Sequence, residues 1–356
     1  MDKLKLIGFA LLYTFILSCS KINSSDFFNF TIIGIPDKEI DNQLDPKLVG
    51  TVDDNLDMCI LYDEILISAN LNNNYLFSIS SLGNNSSVEY FCPKGRGANE
   101  LITTMPISEI LSDGNNISAY LFSPIGRKLA KWEISSSIVE GRTIYSDVIA
   151  LGNSRDYILP LKSIFQLHDN NVIAYNTGQV GERYMTPSYE IYSCATGKLV
   201  KSLNLFNKIE VNTNDELYTH RIYLSLSDCI HPNRDKLAFG MFFMPILNIL
   251  DLKDYSVKGV QIQGFPDFTP NKKITHFIDI DSDENFIYAI YSGEQMVTKD
   301  AYPKYLYVFD WEGSIKYKYE LPFRATSLQS VNGKLYLFDY LTGMIRFIHL
   351  SDIIGE

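Results

Sequence analysis

Short runs rich in Tyr, Phe, Ile, Leu and Val recur along this chain, set apart by turn-forming residues, and they group into units of roughly fifty to sixty residues. Within the runs apolar and polar positions alternate, the period of a strand with one buried face. No stretch carries the 3.6-residue apolar period of a long amphipathic helix. A unit of this length holds four short antiparallel strands. One such sheet cannot bury its own faces, whereas several packed side by side around an axis can. The 338 residues from Cys19 onward exceed what one ordinary compact core holds, which also favours a repeated architecture. The fold class read from this pattern is all-β: a six-bladed β-propeller of four-stranded antiparallel blades.

The units fall at residues 56–91, 107–151, 163–206, 222–262, 275–321 and 326–350. The sixth holds only three strands and would leave a sheet edge bare, an invitation to aggregation. An N-terminal strand is therefore expected to close the ring. The aromatic and β-branched segment 27–33 is the candidate, paired with residues 345–350. The expected division is a signal at 1–18, a linker at 19–26 and one propeller domain at 27–356.

Turn chemistry divides the disc into two faces. His168-Asp169-Asn170-Asn171, Ala195-Thr196-Gly197-Lys198, Ser282-Asp283-Glu284-Asn285, Trp311-Glu312-Gly313-Ser314 and Val331-Asn332-Gly333-Lys334 read as hairpin turns. With strands lettered a to d from the centre outward, these are a–b and c–d connections and share one face. The b–c loops and the crossings from strand d to the next blade lie on the other. They include the long segments 92–104, 177–187, 207–221, 264–273 and 292–304. Loops on a rigid scaffold carry binding residues, so a ligand is expected on the long-loop face.

The N-terminus carries Lys3 and Lys5, an apolar run over residues 6–17, then Ser18 and Cys19. That run is short for a bilayer span and reads as a cleaved signal. Ile16-Leu17-Ser18-Cys19 resembles the lipobox of bacterial lipoproteins, with Ile where Leu is commonest. The resemblance implies that Cys19 is lipidated and becomes the first residue of the mature chain, which holds the protein to a membrane without a transmembrane helix. The implied location is the cell envelope, at the outer membrane, on its periplasmic or its surface side. Without residues 1–18, 29 basic residues face 41 acidic ones. A net charge of about −12 repels phosphate backbones and argues against nucleic acid.

Motifs of chemistry are scarce. The sequence has no HExxH, GxSxG, P-loop or Rossmann glycine pattern, so no cofactor is expected. His168, His220, His231, His276 and His349 show no metal-ligand spacing, and Cys59, Cys92, Cys194 and Cys229 form no CxxC pair; buried free thiols are expected. Asp279-Ile280-Asp281-Ser282-Asp283-Glu284 has the carboxylate density of a calcium loop but lacks its glycine, and reads as a solvated hairpin. Gly95-Arg96-Gly97-Ala98-Asn99-Glu100 is glycine-rich without a following Lys-Ser or Lys-Thr, and reads as a tight crossing between blades.

That same segment resembles the Gly-Arg-Gly-Pro-Gly-Glu stretch of the TolB-like six-bladed propeller lipoproteins of Bacteroidetes. His231-Pro232-Asn233-Arg234-Asp235-Lys236-Leu237-Ala238-Phe239 resembles the Ser-Pro-Asp-Gly-Lys-x-Leu-Ala-Phe hairpin of TolB-type blades. Membership implies envelope exposure and assigns no reaction. Function reads as a non-catalytic binding or scaffold module for a glycan, peptide or protein. The candidate contacts on the long-loop face are Arg96, Glu100, Arg183, Tyr184, Tyr218, Arg221 and Tyr302. The alternative is an envelope lyase or hydrolase, which would need carboxylates, His or a metal clustered where the a strands converge on the central channel.

Overall fold

A computed structural model describes residues 22–51, 59–69, 74–82, 84–114, 116–152, 159–178, 186–209, 223–269, 274–295 and 302–355, with backbone alone for 59 and 84–87. Six sheets surround a central channel. Blade one comprises Cys59–Tyr62, Ile65–Ala69, Tyr75–Ser81 and Asn84–Pro93, and blade two Leu111–Asp113, Asn116–Ser123, Lys128–Glu133 and Tyr145–Ala150. Blade three is built from Leu161–Gln166, Asn171–Asn176, Ser188–Ser193 and Leu199–Leu203, and blade four from Leu226–Ile230, Lys236–Met241, Ile246–Asp251 and Val257–Ile262. Blade five takes Ile274–Ser282, Phe286–Gln295, Tyr305–Asp310 and Ile315–Glu320. The last unit has three strands of its own, Ser327–Val331, Lys334–Asp339 and Met344–His349. The expected class, blade count and blade order hold.

The closing strand is a different one from that expected. Lys47–Thr51 pairs antiparallel with Met344–His349 and completes blade six. Residues 27–33 lie elsewhere: Phe28 bridges Phe206, and Ile32–Ile35 adds to Val257–Ile262 as a parallel fifth strand of blade four. Phe27 and Phe28 are buried among Tyr175, Tyr189, Phe206, Tyr223 and Phe268. The apolar character that marked this segment as a strand therefore serves packing between blades three and four. A second parallel addition, Asn42–Gln43 on Ile315–Glu320, carries the chain past blade five. The N-terminal segment is thus a strap along the outer edges of blades four and five before it closes blade six. The expected linker also ends early, because the 3-10 turn Ser24–Phe27 is already docked on the propeller.

Aromatic side chains fill the wedges between blades. Phe277, Tyr291, Tyr307 and Phe309 of blade five pack against Leu247, Ile249 and Val260 of blade four. The approach is close enough to require Gly240, where an added Cβ would stand 2.7 Å from Phe277 Cβ. One connection departs from the all-strand expectation. The c–d link of blade two is a short helix, Ile134–Glu140, ended by Gly141 at φ 63°. Its Ser137 is buried and accepts from the Trp132 indole N–H at 3.0 Å, which satisfies a fully buried tryptophan.

Candidate functional site

The a strands of the six blades run alongside one another with no backbone ladder between them, so side chains must join them. Around the ring they do. Tyr62 and Ser112 share a hydroxyl contact of 2.7 Å between blades one and two. Ser108 accepts from Ile164 N–H at 2.9 Å between two and three, and Ser163 donates to Asp228 at 2.6 Å between three and four. Asp279 accepts from Ser227 of blade four at 2.7 Å through one oxygen. Through the other it accepts from the Ser327 hydroxyl (2.5 Å) and Leu328 N–H (3.0 Å) of blade six. Gln329 closes the circle with a pair of bonds to Leu61 N–H and C=O of blade one, at 2.7 and 2.9 Å.

Most of these residues wall a channel of about 520 Å³. Its lining runs from Pro106, Lys162 and Tyr340 at the crossing ends of the strands to Pro232, Arg234 and Asn332 at the hairpin ends. Three carboxylates, Asp228, Asp279 and Asp281, project into it, and Glu109 pairs with Arg234 near the hairpin end. Lys162 faces the carboxylates and donates to Leu226 C=O. Protein surrounds the three aspartates closely although the channel leaves them partly accessible. Burial raises Asp228 and Asp279 above the usual carboxylate range, against the pull of Ser163 on the first and of Ser327 and Ser227 on the second. Asp281 is pushed up to about 7 by burial, countered by the Ser330 and Ser282 N–H groups and reinforced by the charges of Asp279 and Asp283.

The segment 279–284 is therefore more than a solvated hairpin. Asp283 alone serves the turn, accepting from Asn285 and Phe286 N–H at 2.8 Å each and from the Tyr288 hydroxyl. Asp279 and Asp281 sit on the preceding strand and face the channel. Among the described residues no group of three or more His, Cys, Asp or Glu side chains is placed to hold a metal ion. The described histidines hold structure. His168 bonds Asn233 C=O at 2.9 Å, His231 bonds Glu284 C=O at 3.1 Å, and His276 is buried against Tyr291. Burial pushes the His276 imidazole down to about 3, which keeps it neutral. Cys92, Cys194 and Cys229 are free thiols, the first and last buried.

Of the candidates on the long-loop face, Arg183, Tyr184, Tyr218 and Arg221 lie outside the described residues, as does Cys19. Glu100 turns inward on its own loop: its carboxylate accepts from Gly97 N–H at 2.8 Å and fills the space a Cβ on Gly95 would need. Lys128 fastens that loop by donating to Gly97 and Glu100 C=O. This is the tight crossing expected from the sequence. Arg96 is exposed beside it, and Tyr302 is half-buried on the b–c loop of blade five, two blades away around the ring. None of these three lines the channel.

The residues that sequence reasoning passed over are Glu109, Lys162, Asp228 and Arg234. A signal was present in Leu226-Ser227-Asp228-Cys229-Ile230 and Ile278-Asp279-Ile280-Asp281, where a carboxylate interrupts an apolar strand. A buried-strand aspartate needs donors, and the neighbouring blades supply them.

A family model described as a TolB-like six-bladed propeller matches residues 58–329. Among solved structures, a member of the DUF4221 family from Bacteroides vulgatus superposes with a TM-score of 0.58 at 13% identity, covering 85% of this chain and 94% of that one. A candidate exported protein of Bacteroides fragilis gives 0.49 at 13% identity over 86% and 88%, and a luciferin-regenerating enzyme 0.46 at 10% over 82% and 90%. At such identities the likeness is one of fold. No curated protein matches the sequence.

Proposed function

Since the chain belongs to the TolB-like six-bladed propeller family, we propose that it is an exported lipoprotein of the cell envelope, anchored through Cys19, whose propeller binds a small polar ligand in its central channel without transforming it. The observation that carries this reading is the channel itself. Its volume of about 520 Å³ suits a small molecule. Hydroxyl and carboxylate groups and the Lys162 ammonium stand on its wall among apolar side chains, complementary to a molecule bearing several hydroxyls or an amine. The lipobox-like Ile16-Leu17-Ser18-Cys19 supports the anchor, and among the described residues no helix is long and apolar enough to cross a membrane.

Native mass spectrometry of the protein isolated from its own envelope tests the reading. The wild type should carry a small molecule that the paired variant Asp228→Asn, Asp281→Asn releases. A wild-type channel that arrives empty, or a ligand retained unchanged by the variant, refutes the assignment. One observation favours a second reading. A carboxyl near pKa 7 beside two other carboxylates is what a general acid or base in a lyase or hydrolase requires. Slow consumption of the captured molecule by the wild type, abolished in Asp281→Asn, would decide for catalysis.

A further inference from the structure

The first described residues of the chain lie at a definite place on the propeller. Ile22 packs on the cluster between blades three and four, and Ser24 N–H donates to Asp267 at 3.2 Å. Phe27 is fully buried, its ring 4.8 Å from Phe268. Asn207 holds the same turn, donating from its backbone to Phe27 C=O and from its side chain to Asp26 and Phe28 C=O. Asn207 belongs to the crossing from blade three to four, and Asp267 and Phe268 to the crossing from four to five. Residues 22–28 therefore dock on the long-loop face.

Only two residues, Ser20 and Lys21, lie between Cys19 and Ile22, so the three backbone steps reach at most about 11 Å even when fully extended. We infer that the propeller is held with its long-loop face toward the lipid headgroups on the side of Asn207 and Asp267, and with the hairpin mouth of its channel and its C-terminal helix turned away from the membrane. This rests on the lipid anchor at Cys19 proposed above. The helix Leu350–Ile354 is placed on the far face by Leu350 N–H, which bonds Gly333 C=O in the a–b turn of blade six. The two faces are separated by the length of a strand such as Val257–Ile262, about 20 Å. The excess of acidic over basic residues gives anionic headgroups no purchase of their own, so the tether sets the orientation. A soluble ligand then meets the channel at its hairpin end, beside Asp281 and Arg234, and the long-loop face addresses the bilayer.

The test uses the full lipoprotein in vesicles of phosphatidylethanolamine and phosphatidylglycerol carrying acceptor-labelled headgroups. An azide-bearing amino acid is introduced for donor labelling at Gln263, on the crossing face of blade four, or at Lys253, in a hairpin turn of the same blade. Transfer from position 263 should exceed that from 253 at least twofold. Inserting twenty Gly and Ser residues after Lys21 should bring the two together, because a flexible tether of that length reaches about 25 Å. Equal or reversed transfer in the uninserted protein overturns the orientation. Metabolic labelling with an alkynyl fatty acid, in wild type and Cys19→Ala, separates the two claims. Labelling that persists in the variant, or never occurs, removes the anchor; labelling confined to Cys19 with equal transfer removes the orientation alone.

Discussion

At the hub each neighbouring pair of blades is joined by a side-chain hydrogen bond, whereas at the rim, among the described residues, the N-terminal segment ties blades three to six. Phe28, Ile32–Ile35, Asn42–Gln43 and Lys47–Thr51 cross those four outer edges in turn. Among the described residues nothing pairs with the outer strand of blade three along most of its length, and Leu199 and Val200 are exposed at 47% and 59%. The two regions solve the same problem with different chemistry. Polar contacts at the hub can be replaced one at a time by water in the channel, so each contributes modestly. The strap is a continuous covalent segment, and its last strand supplies the hydrogen bonds of a whole ladder. The rim therefore decides whether the ring closes, and the hub decides how the blades are aligned around the site.

The largest effect is expected from removing residues 1–51. Blade six would then keep three strands and a bare edge, and the protein should lose its single cooperative melt and self-associate, as read by circular dichroism and size-exclusion chromatography. Next comes Asp37→Ala in the strap. Lys318 is buried, pairs with Asp37 at 2.6 Å, and would be left without its counter-charge although Tyr305 and Tyr307 still flank it. A loss of about 3 kcal/mol in urea denaturation is expected. At the hub, Asp279→Ala deprives Ser227, Ser327 and Leu328 N–H of their acceptor and should cost about 2 kcal/mol, most of it restored in Asp279→Asn. If the hub variant proves more harmful than the strap variant, the division of labour drawn above is wrong.

Asp281→Asn sharpens the hub side through pH. Its folded pKa of about 7 lies above the unfolded value near 4, so the native state binds the extra proton, and the wild type loses stability as pH rises through that interval. The variant, which keeps an acceptor for Ser330 N–H, should match the wild type at pH 4 and exceed it at pH 8. The smallest effect belongs to Val200→Lys on the bare edge, within about 0.5 kcal/mol of wild type by the same denaturation.

Much of the architecture was legible because period-2 alternation and turn residues are local properties. The hairpins at residues 168–171, 195–198, 311–314 and 331–334 fall where turn chemistry placed them. The closing segment was misread for a physical reason. Residues 27–33 and 47–51 are both strand-like, and which one reaches blade six depends on the path around the rim, not on propensity. The helix Ile134–Glu140 escaped notice because seven residues, three of them serine, carry too little pattern to register against strand alternation.

By itself the sequence determined the blade count, the turns, the division into a plain and an elaborated face, and the acidic balance of the chain. Each follows from residues close together along the backbone or from simple summation. The tertiary structure added that Lys47–Thr51 completes the ring, that Asp228, Asp279 and Asp281 share one channel with Lys162, and that Ser24 docks on the long-loop face. Those facts join blades through residues from 51 to about 300 positions apart. Long-range pairing of that kind is selected by burial and hydrogen-bond satisfaction over the whole ring, which no local pattern encodes.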